Sequence, residues 1–176
     1  FKDKYILNTG LSADFSTRIG KEAETTFHFF GLPFGMFYSI GAGWRISEEF
    51  FLKQFQGLEN LLLRVSYGIT GNDDIGNYNA LDYYTSVRYR ETSGLIPGPG
   101  SNSSLKYEKI KQFNLGLDLS LWGDRTSITV NYYNLKTEDM LVYIPQESYT
   151  GYTLLPVNSG NVKNTGFEII ASQRIL

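Results

Sequence analysis

Phe113, Leu115, Leu117, Leu119 and Leu121 are separated by Gln112, Asn114, Gly116, Asp118 and Ser120. A helix would scatter those apolar side chains around its circumference, whereas a strand places all of them on one face, because successive side chains point to opposite sides of the pleat. The same period of two recurs along the chain. Tyr5, Leu7, Leu11, Ala13 and Phe15 share a face with Thr9; Met36, Tyr38, Ile40, Ala42, Trp44 and Ile46 form a second; Leu61, Leu63, Val65, Tyr67 and Ile69 a third. Ile128, Val130 and Tyr132 oppose Thr129, Asn131 and Tyr133, and Phe167, Ile169 and Ala171 oppose Glu168, Ile170 and Ser172. Strands are therefore expected over residues 5–16, 36–47, 61–70, 112–121, 126–135 and 166–176, the last running to the end of the chain, and the class is all-β. A weaker alternation through Leu81, Tyr83, Thr85, Val87 and Tyr89 points to an extra strand or hairpin between the third and fourth of these.

The connections differ in length by position. Residues 17–35, 71–107 and 143–165 are long, residues 48–60 are shorter and residues 122–125 are minimal, so an antiparallel up-and-down meander gathers long connections at one end and short ones at the other. "SEEFF" is expected to form one helical turn with Ser47 as its N-cap ahead of Glu48 and Glu49, and "WGDR" reads as a tight hairpin through Gly123 and Asp124. Six strands with a chain ending inside the last do not close a ring. An open edge in lipid leaves unpaired backbone groups, each costing several kcal/mol. The first and last strands are thus expected to lack partners within the chain, and residues 1–176 to form an incomplete segment of a larger sheet.

The bulk chemistry excludes several classes of function. With 16 Lys and Arg against 18 Asp and Glu, the net charge of -2 advertises no nucleic-acid surface. The absence of cysteine removes disulfides, thiolate metal sites and a thiol nucleophile together, and a single histidine, His28, removes multi-histidine metal sites and imidazole triads. The opening "FKDKYILNTGL" lacks the order of a signal peptide, and no apolar run approaches the roughly 20 residues of a membrane-spanning helix. A membrane-spanning strand needs only about 9 to 11 residues with one apolar face.

The polar faces decide between a membrane barrel and a soluble β-sandwich that binds or adheres. Solvent-facing strands usually carry many Lys and Glu, whereas here those faces carry Asn, Ser, Thr and the glycines Gly10, Gly41, Gly43, Gly68 and Gly116, which leave a lumen open. The apolar run from Phe113 to Leu121 is bounded by Lys109 and Lys111, as a lipid band is bounded by head groups. Trp44 and Trp122 flank short connections, where an indole rests at a membrane boundary. In such barrels the short turns are periplasmic and the long loops extracellular. The polar "GNDDIGNY" after the alternating "LLLRVSYGIT" then marks the outer interface.

The stretches "GWRISEEFF", "LLLRVSYGITGNDDIGNY", "LKYEKIKQFNLGLDLSLWGDR", "VNYYNLKTEDMLV" and "NSGNVKNTGFEI", in that order, resemble the SusC/RagA family of TonB-dependent outer-membrane transporters. The resemblance runs from about Tyr5 to the end and is weakest over residues 79–104. It implies a barrel of about 22 strands with an N-terminal plug and a TonB-binding segment, of which this chain is only part of the barrel. It also implies import of oligosaccharides or peptides across the bacterial outer membrane, with a SusD-like surface lipoprotein as lid and the TonB complex as partner. No enzyme activity and no cofactor are expected.

The candidate residues follow from placement. Tyr78, Tyr83, Tyr84, Tyr89, Tyr143, Tyr149 and Tyr152 concentrate in the expected outer loops, where flat rings can stack on sugars or pack on a lid protein. Asp14, Arg45, Arg64 and Asp118 fall on the expected lumenal face, positioned for a charge ladder between strands or for contact with the plug. Asn72, Asp73, Asp74 and Asn77 gather oxygens near one another but do not follow the twelve-residue calcium loop, so no metal site is assigned. Adjacent acids such as Glu48 with Glu49 and Glu138 with Asp139 read as solvated charge, and "NSGNVKNTG", with Asn158, Gly160, Asn164 and Gly166, as turn chemistry.

Overall fold

The computed structural model of the chain describes residues 3–23, 27–29, 32–74, 76–98 and 100–175. Its strands are β1 (Tyr5–Phe15), β2 (Phe27–Phe29), β3 (Leu32–Arg45), β4 (Leu58–Asn72), β5 (Tyr84–Tyr89), β6 (Thr92–Pro97), β7 (Glu108–Leu121), β8 (Thr126–Glu138), β9 (Leu141–Pro145), β10 (Leu154–Asn158) and β11 (Val162–Gln173). The helical content among the described residues is two 3-10 turns, Ile46–Glu48 and Ser148–Thr150.

The main sheet is antiparallel in the order β1-β3-β4-β7-β8-β11, with β2 added to β3, and its ends β1 and β11 do not meet. This is the open meander expected from the sequence. The periods of the six long strands lock in phase. One row across the sheet reads Leu7, Ala42, Val65, Leu115, Tyr132, Phe167, and the next reads Tyr5, Trp44, Leu63, Leu117, Val130, Ile169. The opposite face carries Asn8, Gly41, Ser66, Asn114, Tyr133, Gly166 and then Ile6, Gly43, Arg64, Gly116, Asn131, Glu168. A slip of one residue in any strand would put its apolar set on the wrong side.

Among the described residues, no second layer covers the apolar face. Leu7 is 70% exposed, Leu11 73% and Phe167 74%. A β-sandwich would bury such a face against another sheet about 10 Å away, and the described residues form no such facing sheet. Burial occurs instead around the long connections, where Ile19, Ala23 and Tyr107 form one cluster with Phe37 of β3, and Ala80 and Leu105 form another.

Several elements differ from the sequence reading. The weak alternation after residue 80 forms the hairpin β5–β6, which stands apart from the main sheet, and an unforeseen hairpin β9–β10 occupies the connection from β8 to β11. β11 ends at Gln173 rather than continuing to Leu176, which lies outside the described residues. Ser47 does not cap a helix. It sits inside the 3-10 turn, buried, with Arg45 at the N-cap position and no side-chain cap bond. The "WGDR" hairpin forms as expected, with Trp122, Gly123 and Asp124 all at positive φ of 54°, 66° and 59°.

Candidate functional site

On the polar face Arg64 of β4 crosses β7 and reaches β8. Its Nε and Nη2 donate to the two Asp118 oxygens at 2.5 and 3.0 Å, and Nη2 also donates to Asn131 Oδ1 at 3.2 Å. Thr129 Oγ1 donates to Asp118 Oδ1 at 3.0 Å, completing a bidentate pair held from both sides. Gly116 makes the crossing possible: a Cβ there would lie 2.8 Å from both Arg64 Nη2 and Asn131 Oδ1. This glycine therefore does more than leave space clear, since it is the floor under a side-chain bridge over three strands. The bridge borders a shallow open trough of ≈ 230 Å³ with Asn8, Gly41, Ser66 and Asn114.

Of the four charges named from sequence, Arg64 and Asp118 come together and the other two stand apart. Arg45 Nη1 donates to the Asp3 carbonyl at 3.2 Å at the short-connection end. Asp14 lies at the opposite end of β1, where its carbonyl accepts the Tyr107 hydroxyl at 3.0 Å. Burial pushes the Tyr107 phenol up to about 12, aided by the nearby Asp73 and Asp14 carboxylates, so it remains a neutral donor.

The long connections form one interlocked cap. Gly20 and Glu22 amides donate to the Leu105 and Ser103 carbonyls at 2.8 and 3.1 Å, tying the connection after β1 to the one before β7. Asn158 ties in the connection after β8: its Oδ1 accepts the Lys106 amide at 2.9 Å and its Nδ2 donates to the Lys106 and Asp139 carbonyls at 2.8 and 2.9 Å. Asp73, Asp74 and Asn77 face the first connection. Asp73 accepts the Ser16 hydroxyl, Arg18 Nε donates to Asn77 Oδ1 at 3.1 Å, and Asp74 lies 3.8 Å from Arg18 Nη1.

The tyrosines named from sequence lie in the segments that make up this cap. Tyr78 and Tyr83 meet edge to face with ring centroids 6.2 Å apart, and the Tyr143 hydroxyl accepts Asn79 Nδ2 at 2.7 Å one residue away. Among the described residues, no ring contact joins Tyr84, Tyr149 or Tyr152 to that pair; Tyr149 projects from its own 3-10 turn and Tyr152 lies against Gly100. The side chains of Tyr89 and His28 lie outside the described residues. Sequence reasoning missed Arg18 and Tyr107 and read Asn158 only as turn chemistry. Their partners are 59, 93 and 52 residues away, so no local pattern marks them.

The family model of the TonB dependent receptor-like β-barrel matches residues 1–174. TonB-dependent receptor P39 of Formosa agariphila is 34% identical over 96% of this chain, and TonB-dependent receptor SusC of Bacteroides thetaiotaomicron is 29% identical over 94%. The chain spans only 16% and 17% of the length of those two relatives. Among solved structures, the RagAB peptide importer in its closed-closed state superposes on the whole chain with a TM-score of 0.87 at 31% identity, the chain covering 18% of that one. The siderophore receptor PirA of Pseudomonas aeruginosa shares the fold, with a TM-score of 0.57 at 12% identity over 97% of this chain and 32% of its own.

Proposed function

The chain belongs to the TonB dependent receptor-like β-barrel family, and from that premise we propose that it is a wall segment of an outer-membrane importer of oligosaccharides or peptides. That family is one of outer-membrane transporters and receptors, not of enzymes, in agreement with the SusC/RagA resemblance. The observation that carries the reading is the uncovered apolar face, in register across six strands, which lipid would cover in place of a second sheet. The polar face, with Arg64 and Asp118, then lines the lumen beside a plug supplied by sequence outside this chain. The cap of long connections faces outward, where Tyr78, Tyr83, Tyr84, Tyr89, Tyr149 and Tyr152 are offered to substrate or to a SusD-like lipoprotein, while the intact protein engages the TonB complex. The RagAB importer, itself a peptide importer, supports the peptide arm, and similarity to SusC supports pairing with a lipoprotein.

Topology tests the reading directly. Cysteines placed at Asp73 and Asp124 of the full-length protein should respond differently to a membrane-impermeant reagent on whole cells, with labelling at 73 alone. Labelling at 124 alone would reverse the orientation, and a protein soluble and monomeric without detergent would end the barrel reading. Deletion should abolish growth on one class of oligosaccharide or peptide; undiminished growth on every such source would remove the import role.

A further inference from the structure

The connection between β3 and β4 carries three phenylalanines that the fold leaves bare: Phe50 is 80% exposed, Phe51 63% and Phe55 68%. The segment is nonetheless ordered. Amides of Leu52 and Lys53 donate to the Glu49 carbonyl at 3.0 and 3.1 Å, and the Phe55 amide to Leu52 at 3.0 Å, winding it into successive turns. Its charges are matched, Glu49 with Lys4 at 2.9 Å and Glu48 with Lys53 at 3.2 Å.

Glu49 also fixes where the turn lies. Its Oε1 accepts the Tyr5 hydroxyl at 3.0 Å and the Trp44 indole N–H at 3.2 Å. Tyr5 and Trp44 are a cross-strand pair on the apolar face, so the carboxylate holds the turn toward that side of the sheet. At the other end of the turn the Trp122 amide donates to Gly57 at 2.7 Å, and the Trp122 ring lies 3.0 Å from where a Gly57 Cβ would sit. Trp122 itself is 61% exposed.

We propose that residues 48–57 with Trp122 form an interfacial anchor, lying in the lipid head-group layer at the short-connection end with Phe50, Phe51 and Phe55 at the boundary with the acyl chains. The proposal rests on the apolar face being lipid-facing. Three observations favour lipid over a protein partner. The turn is tied through Glu49 to Tyr5 and Trp44 of that apolar face; the Trp44 N–H and Tyr5 O–H point to the turn while their rings stay with the strands, the arrangement that suits an interface; and pairing of both acids lowers the cost of leaving water.

The test uses the full-length protein in lipid nanodiscs, with any cysteine outside this chain replaced by serine. Spin labels at Phe50→Cys, Phe51→Cys, Phe55→Cys, Asp124→Cys and Phe167→Cys are read for collision with oxygen, which concentrates in lipid, and with a water-soluble nickel chelate. Oxygen should exceed nickel at 50, 51, 55 and 167 and fall below it at 124. Nickel dominance at 50, 51 and 55 would place the turn in water, and exclusion of both reagents would place it under protein; either result overturns the anchor while 167 still reports lipid. Nickel dominance at 167 would bring down the lipid reading itself, and the anchor with it.

Discussion

The wall and the cap of this chain are built on opposite rules. In the wall, backbone pairing joins six long strands, yet their apolar side chains point outward and stay exposed. In the cap, backbone pairing runs through short hairpins and single bonds between connections, yet the apolar residues Ile19, Ala23, Tyr107, Ala80 and Leu105 are buried, as in a protein that folds in water. Phe37 marks the seam: it belongs to β3, lies on the polar face and packs edge to face on Tyr107 with centroids 5.5 Å apart. The difference shows that one chain can answer to two solvents, with strand period setting one and loop interlock the other.

Two substitutions should separate these rules, the larger in the cap. Leu105 is fully buried, and Leu105→Ala should destabilise the cap by about 2–5 kcal/mol. Hydrogen exchange in the full-length protein should then speed at the Gly20 and Glu22 amides, which depend on that strand of chain, and leave β4 and β7 unchanged. Leu117→Arg, in the middle of the β7 apolar row, should destabilise the wall in lipid by about 2–4 kcal/mol, read as a lowered unfolding midpoint in detergent or bilayer, with cap exchange unchanged. A cap that loosens with the Leu117 variant, or a wall that loosens with the Leu105 variant, would mean that the two are one cooperative unit.

The wall was legible in the sequence because its information is periodic: Leu115 and Leu117 declare their face without knowledge of their partners. The cap was not, because its information is pairwise and distant. Residues 81–89 showed a faint period and gave a hairpin, but that it pairs with residues 92–97 and stands outside the main sheet depends on contacts no period encodes. Asn158 read as turn chemistry and proves to be a clamp on Lys106. Ser47 read as a cap because of Glu48 and Glu49, but Glu49 is engaged instead by Lys4, just before β1, by Tyr5 of β1 and by Trp44 of β3. Among the lumen-side charges, the Arg64–Asp118 pair required knowing that β4 and β7 are neighbours despite the long insertion between them.

A milder substitution sharpens the seam within the cap. Asn158→Ala removes two hydrogen bonds that join the connection after β8 to Lys106, just before β7, and a third to Asp139 within that connection, and should cost about 1–2 kcal/mol. Limited proteolysis should then cut faster within residues 139–161, while the junction between Gly20 and Leu105 holds. Equal acceleration at residues 17–23 would show that the connections melt together and that the Asn158 clamp is not a separate unit.

The smallest effect belongs to the short-connection end. Glu49 receives Lys4, Trp44 and Tyr5, and these hydrogen bonds, that of Lys4 foremost, hold its carboxyl below the ordinary glutamate value of 4.5. A carboxyl whose folded value is depressed contributes stability that is fully present above the unfolded value and is lost as the pH falls through the folded one. The turn should therefore be insensitive to pH above 4.5 and loosen only below it. Protonation removes the charge that faces Lys4 and weakens the acceptor for the Trp44 indole, so Trp44 fluorescence should change with a midpoint below 4.5. The difference titration between the native protein and Glu49→Gln isolates that signal, since glutamine keeps an acceptor but cannot titrate. A midpoint above 4.5 would mean that burial rather than the hydrogen bonds governs Glu49, and no difference from Glu49→Gln would mean that the carboxylate does not hold the turn against the apolar face.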